Sequence, residues 1–163
     1  MRAALRAAFN AGAIYIQWFG HASRQRWGSS NMFDITDPPK LVANTALPFT
    51  AAFSCWSGYF IQAKGSPTYG NSEQSLGEVL VLTPGRGSIA DLSPPGLHVG
   101  PALLRLNQEL VRALFVDRID RVGLAVNRAK ARYRANGAEF PDLVDTQVLL
   151  GDPAVRLWLP AGQ

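Results

Sequence analysis

The chain has 163 residues, of which 47% are apolar and 17% charged, and a formal net charge of +4; these are the proportions of one well-buried domain, not of a disordered segment or a coiled coil. Its one cysteine, Cys55, excludes an intrachain disulfide framework and a Cys-rich zinc site. No run of about 18 apolar residues occurs, so no segment is long enough to form a hydrophobic membrane-spanning helix.

Arg2 and Arg6 ahead of an apolar stretch, followed by the small pair Ala22 and Ser23, loosely imitate a secretory signal. Asn10 and Gln17 interrupt that stretch, however, and Gly12 separates two periodicities. The pattern predicts the last turns of an amphipathic helix over residues 2–9, a stop at 10–12 and a buried strand over 13–19. Residues 20–40 are rich in Gly, Ser, Asn and Pro and predict a long loop. A second apolar run over 49–54, preceded by Pro48 and ending at Cys55, predicts a strand buried on both faces. Residues 61–71, with Gly65, Pro67 and Gly70, predict a surface loop.

Leu76, Val79 and Leu80 at helical spacing predict a helix over 75–82, stopped by Pro84, Gly85 and Gly87. A third strand is expected over 88–92. A helix beginning near Pro101 carries Leu103, Leu106, Leu110 and Leu114 on its apolar face through about Phe115; another runs over 120–136, with Gly137 as its cap. Strands that alternate with helices, through connections too long for hairpins, predict an α/β fold with a parallel sheet flanked by helices. We read residues 1–163 as a single, partial domain.

In such sheets sites form at the carboxyl ends of the strands. His21 follows the first predicted strand after one glycine, and Cys55 ends the second, so both emerge on one rim. A free thiol, with a pKa of about 8.5, is mostly protonated at neutral pH. Imidazole, near 6.5, is suited to relay a proton between the thiol, a leaving amine and water. Buried cysteine is more often a small hydrophobe, and a loop histidine a polar surface residue, so spacing alone does not decide between these readings.

The flanking segments do more. GAIYIQWFGHAS resembles the strand-Gly-His-Gly-Ser signature of the gingipain-type cysteine peptidases, within the caspase/gingipain clan. LPFTAAFSCWSGYF resembles their strand-Cys segment, SLGEVLVLTPGRGSIA the helix, turn and strand that follow, and the match continues to DTQVLLGDPAVRL. The resemblance implies a cysteine endopeptidase without cofactor or metal, with Cys55 as the nucleophile that forms a thioester and His21 carrying the proton of the leaving amine. It implies backbone N–H groups at Cys55 and Ala22 for the oxyanion, and Trp27 lining a substrate pocket. Trp56 and Tyr59 suggest an aromatic wall. The alternative for Trp27 is a tryptophan that covers the loop.

Two departures from the family pattern stand out. Ala22 occupies the place of the usual glycine after the histidine, and Asp91 lies in a strand where a small or apolar residue is expected, pointing to a structural or solvent-contact role over a catalytic one. Family members also carry a further part of the peptidase domain ahead of the point matching Met1. We therefore expect a peptide or protein substrate and a complementing upstream chain, with an inactive remnant or a protein-interaction domain of the same fold as the rival. Compartment is left open.

The remaining features read as structural. His98, after Pro94-Pro95-Gly96-Leu97, is expected to be a surface loop residue with no thiol or acid beside it. Gly151-Asp152-Pro153 reads as a turn, and Pro84 to Gly87 lacks the ending of a phosphate-binding loop. The basic residues between Arg118 and Arg134 lack interleaved aromatics and read as a solvated face, not a nucleic-acid surface. Neither nucleic acid nor membrane is an expected partner.

Overall fold

A computed structural model describes residues 1–30, 32–61 and 74–160. Its centre is a four-stranded sheet of β1 (Tyr15–Phe19), β5 (Phe49–Phe53), β6 (Ala90–Ser93) and β7 (Val148–Gly151), in the order β1-β5-β6-β7. β1 and β5 run parallel, with Tyr15 opposite Phe49 and Phe19 opposite Phe53; β5 and β6 are also parallel, with their pairing ending at Ala51 opposite Leu92. All five residues of β5 and all four of β6 are buried, as the central strands of a sheet covered on both faces must be.

The expected parallel sheet flanked by helices is present, with one antiparallel strand added at its edge. β7 pairs with β6 antiparallel, Ser93 opposite Val148 and Ala90 opposite Gly151. The reason lies in its approach: a short helix, α5 (Leu143–Thr146), ends where Gln147 meets the carbonyls of Ala52 and Leu92, so the chain enters β7 from the carboxyl rim and can only run downward.

Alternation along the strands builds two cores. On one face Phe49, Ala51, Phe53, Ala90 and Leu92 pack against α3 (Gly100–Val111) and α4 (Val122–Ala135). On the other, Ile16 and Ala52 join Phe9 of α1 (Arg2–Asn10) and Leu76 and Leu80 of α2 (Leu76–Leu82). Helix α2 opens with a reciprocal cap in which Ser75 Oγ accepts from the Glu78 N–H and the Glu78 carboxylate accepts from the Ser75 N–H. It ends as expected at the Pro84 to Gly87 turn, where Gly87 has φ +73 and lies against the Leu80 carbonyl with no room for a side chain. The α-helical part of α3 stops at Val111 and continues as a π-helical turn over Arg112–Val116, slightly past the expected end. Gly137, with φ +74, follows α4.

The segment 20–40 is not the plain loop that its composition suggests. It contains an antiparallel ribbon of three two-residue strands, β2 (Ala22–Ser23), β3 (Arg26–Trp27) and β4 (Phe33–Asp34), with Ala22 opposite Trp27 and Trp27 opposite Phe33. Trp27 and Phe33 are wholly buried and join the second core. A clasp ties this ribbon to the first helix. Arg2 reaches Asp34 Oδ2 and Asp37 Oδ1, each at 2.9 Å, and Arg6 Nε donates to Asp37 Oδ1 at 2.6 Å. Asp37 is buried and also accepts the Asp34 N–H at 2.7 Å.

The basic stretch is partly neutralised by ion pairs of Arg132 with Asp117 and Arg134 with Asp145, and outside it Arg156 pairs with Asp120. Among the described residues no helix is long and apolar enough to cross a membrane, and no group of three or more His, Cys, Asp or Glu residues gathers as metal ligands do. The predicted surface loop over 61–71 lies, past Ile61, outside the described residues.

Candidate active site

Phe19 and Phe53 are the last paired residues of two parallel neighbours. His21 and Cys55 each follow two positions later, so the same offset carries both onto the carboxyl rim of adjacent strands, whose spacing is about 4.8 Å. The Gly20 N–H still donates to the Phe53 carbonyl, at 3.3 Å, which keeps the two chains together to the last residue before His21.

The backbone under each residue is held. The His21 carbonyl accepts from the Gly28 N–H at 2.9 Å and from Trp18 Nε1 at 3.1 Å, while the residue itself is exposed. Cys55 is half-buried in a turn fixed from three sides: the Trp56 N–H donates to the Gly96 carbonyl, the Gly58 N–H to the Pro94 carbonyl, and the Gly77 N–H to the Ser57 carbonyl. Trp56 takes a left-handed conformation, φ +61, rare for a bulky side chain and of the kind that gathers at functional sites.

Beside this pair lies a cleft of about 220 Å³ lined by Ala22, Ser23, Arg24, Gln25, Trp56 and Tyr59. Trp56 and Tyr59 meet edge to face, with ring centroids 5.2 Å apart. The two rings stand in the turn after Cys55, across the cleft from the ribbon after His21.

The model of the family described as Peptidase family C25 matches residues 1–158. The chain belongs to peptidase family C25. No curated protein matches it. Among solved structures, this C25 chain is similar to that of the Arg-specific cysteine proteinase gingipain R, with 22% identity and a TM-score of 0.78 over 96% of this chain and 36% of the other. It is likewise similar to a complex of Porphyromonas gingivalis RgpB pro- and mature domains, with 22% identity and a TM-score of 0.74 over 96% and 37%. A third structure, described only as a protease, has 12% identity and a TM-score of 0.75 over 93% and 37%. The chain thus spans little more than a third of the length of these structures, and the likeness shows a shared α/β fold.

The C25 chain differs from its sequence-based reading at two residues. Trp27 has no exposed surface: it stacks on Trp18 and Phe33, with centroids at 5.9 and 5.4 Å, so it supports the ribbon and does not line the cleft. His98 is not an isolated surface residue. Its carbonyl receives the Cys55 thiol at an Sγ to O distance of 3.8 Å, and its Nε2 is buried with no hydrogen-bond partner among the described residues. Burial holds the His98 imidazole below its usual pKa, against the opposing influence of Asp142 and the Thr146 backbone. The loop after β6 brings this histidine to the rim from a distant part of the sequence; its position after a strand end was the signal, and the distance in sequence from Cys55 concealed it.

Asp91 is wholly buried, which excludes solvent contact, and its carboxylate accepts from Thr50 Oγ1 at 2.5 Å and from Ser93 Oγ. Burial pushes its pKa up to about 6, while the two hydroxyl donors pull it back down. Gln147 is a residue that sequence reasoning missed. Where the β5–β6 pairing ends at Ala51 opposite Leu92, its buried amide Nε2 donates to Ala52 O at 2.9 Å and Leu92 O at 3.3 Å, spanning the two strands just below the Cys55 turn.

Proposed function

We propose that the chain is the part of a cysteine endopeptidase that supplies the thiol and the imidazole. Cys55 Sγ, deprotonated with the help of His21, attacks the peptide carbonyl; the C–N bond breaks as the imidazole returns the proton to the leaving amine, and water then hydrolyses the thioester. Backbone N–H groups at Cys55 and Ala22 hold the oxyanion, and Trp56 and Tyr59 provide a wall for a substrate side chain. The carrying observation is the equal two-residue offset of His21 and Cys55 from the paired Phe19 and Phe53. Membership of a peptidase family supports the reading.

A complementing chain is part of this proposal. β1 is paired on one side by β5 and stands at the end of the strand order, leaving its other edge for an added strand. The similarity to a complex of pro- and mature domains, and the limited share of the related chains that is covered, favour a partner or further polypeptide at that edge. In this reading residues 1–163 form one part of a larger peptidase domain.

A peptidyl electrophile directed at thiols tests the chemistry. Selective modification of Cys55, faster than that of a free thiol and lost in His21→Ala, is the expected result. Labelling at the rate of an ordinary thiol, unaffected by His21→Ala, replaces the enzyme with a noncatalytic domain of the same fold.

A further inference from the structure

The face of β6 toward α2 carries polar residues where the opposite face carries Ala90 and Leu92. Asp91 and Ser93 project there, into contact with the segments that hold Cys55. A side chain added at Gly77 would set its first carbon 2.5 Å from Asp91 Oδ2, 2.7 Å from Ser93 Oγ and 3.1 Å from the Ser57 carbonyl; at Gly58 it would lie 2.6 Å from Ser93 Oγ. Gly77 therefore rests directly on both Asp91 and Ser93, and Gly58 on Ser93, which is itself hydrogen-bonded to Asp91. Gly58 closes the Cys55 turn, and Gly77 donates its N–H to Ser57 in the same turn.

We propose that Asp91 is a positioning residue for Cys55, and that gain or loss of its proton, passed on through Ser93 to Gly58 and Gly77, alters the reactivity of the thiol. The hydrogen-bond partners for both states are in place. In the charged state Thr50 Oγ1 donates to Asp91 Oδ1, and Ser88 Oγ lies 2.9 Å from Thr50 Oγ1 as a further hydroxyl partner. When Oδ1 takes a proton from solvent it donates to Thr50 Oγ1, whose own hydrogen turns to the Ala90 carbonyl at 3.4 Å. The Ser93 bond to the other oxygen then loses its charge assistance and weakens, loosening the surface under both glycines.

Among the described residues no other ionic group sets this equilibrium. β5 and β7 carry no charged residue, Glu78 of α2 is engaged with Ser75, and the turn 54–58 holds only the Cys55 thiol as a titratable group. Burial places the proton exchange near pH 6, within the range in which thiol reactivity is measurable.

The inference concerns Cys55 itself and is independent of peptide hydrolysis, so it is read with iodoacetamide on the intact chain. The second-order alkylation rate, measured from about pH 5 to pH 8 and divided by the thiolate fraction, is expected to show a separate inflection on its acid side. That inflection persists in His21→Gln and His98→Gln and disappears in Asp91→Asn. It also disappears in Ser93→Ala, which leaves the carboxyl in place and decides the matter where Asp91→Asn does not fold. A wild-type profile without the inflection, its survival in Asp91→Asn or Ser93→Ala, or its loss with either histidine overturns the proposal.

Discussion

Trp18 and Trp27 lie face to face, their ring planes 2° apart and their centroids separated by 5.9 Å, and Trp18 Nε1 also donates to the carbonyl of His21. One stacked pair thus joins the sheet, the ribbon and the backbone of the exposed histidine. Truncation to Trp27→Ala is expected to cost about 3–5 kcal/mol of stability, as for other fully buried large aromatics. Urea denaturation measures it. A variant of unchanged stability but weakened peptide binding returns Trp27 to the role of a pocket wall.

Gly77 provides a test by sign. Glycine within a helix is usually about 1 kcal/mol worse than alanine, so Gly77→Ala ought to stabilise α2. Here the added carbon meets Asp91 Oδ2 and Ser93 Oγ, and the expected result is destabilisation, seen as a lower denaturation midpoint with an unchanged slope. A raised midpoint shows that the carboxyl and hydroxyl can move aside.

The buried carboxyl makes stability depend on pH. Asp91 binds its proton more tightly when folded, about 6 against an ordinary 3.8, so between those values the native state holds more protons than the unfolded one. Stability therefore falls as pH rises from about 4 through 6, by roughly 3 kcal/mol at most. Asp91→Asn removes this component. Chemical denaturation of both proteins at several pH values isolates it, and parallel curves for the two proteins refute it.

Replacing Gln147 with Leu leaves the Ala52 and Leu92 carbonyls without the amide that they share. Each orphaned acceptor costs about 1–3 kcal/mol. Thermal or urea denaturation is expected to show the loss, together with faster exchange of backbone hydrogens in the turn 54–58. A fully stable Gln147→Leu protein means that the two strand ends close on each other instead.

The main architecture was legible where side-chain pattern and topology agree. The apolar run ending at Cys55 marked β5, because a strand buried on both faces needs an unbroken apolar stretch, and the run before His21 marked β1, although that edge strand leaves Gln17 and Phe19 exposed and is not the buried strand expected. The ribbon from Ala22 to Asp34 was hidden, since strands of two residues have no periodicity to detect and the Gly, Ser and Asn content suggested only a loop. β7 escaped for a different reason: the direction of a strand depends on where the preceding helix ends, which no local pattern records. In the site, Cys55 and His21 could be placed from strand ends, whereas the contact of Cys55 with His98, and the burial of Trp27, arise only when distant segments fold together.

The clasp of Arg2 and Arg6 on Asp37 couples the beginning of the chain to the rim on which His21 stands. Removing the first helix would do more than expose Phe9: it would leave a sealed carboxylate without its counterions, and the ribbon would be free to swing away from the strands. Any version of this protein that starts after Arg6 should therefore keep its thiol turn but lose the fixed bearing of its imidazole.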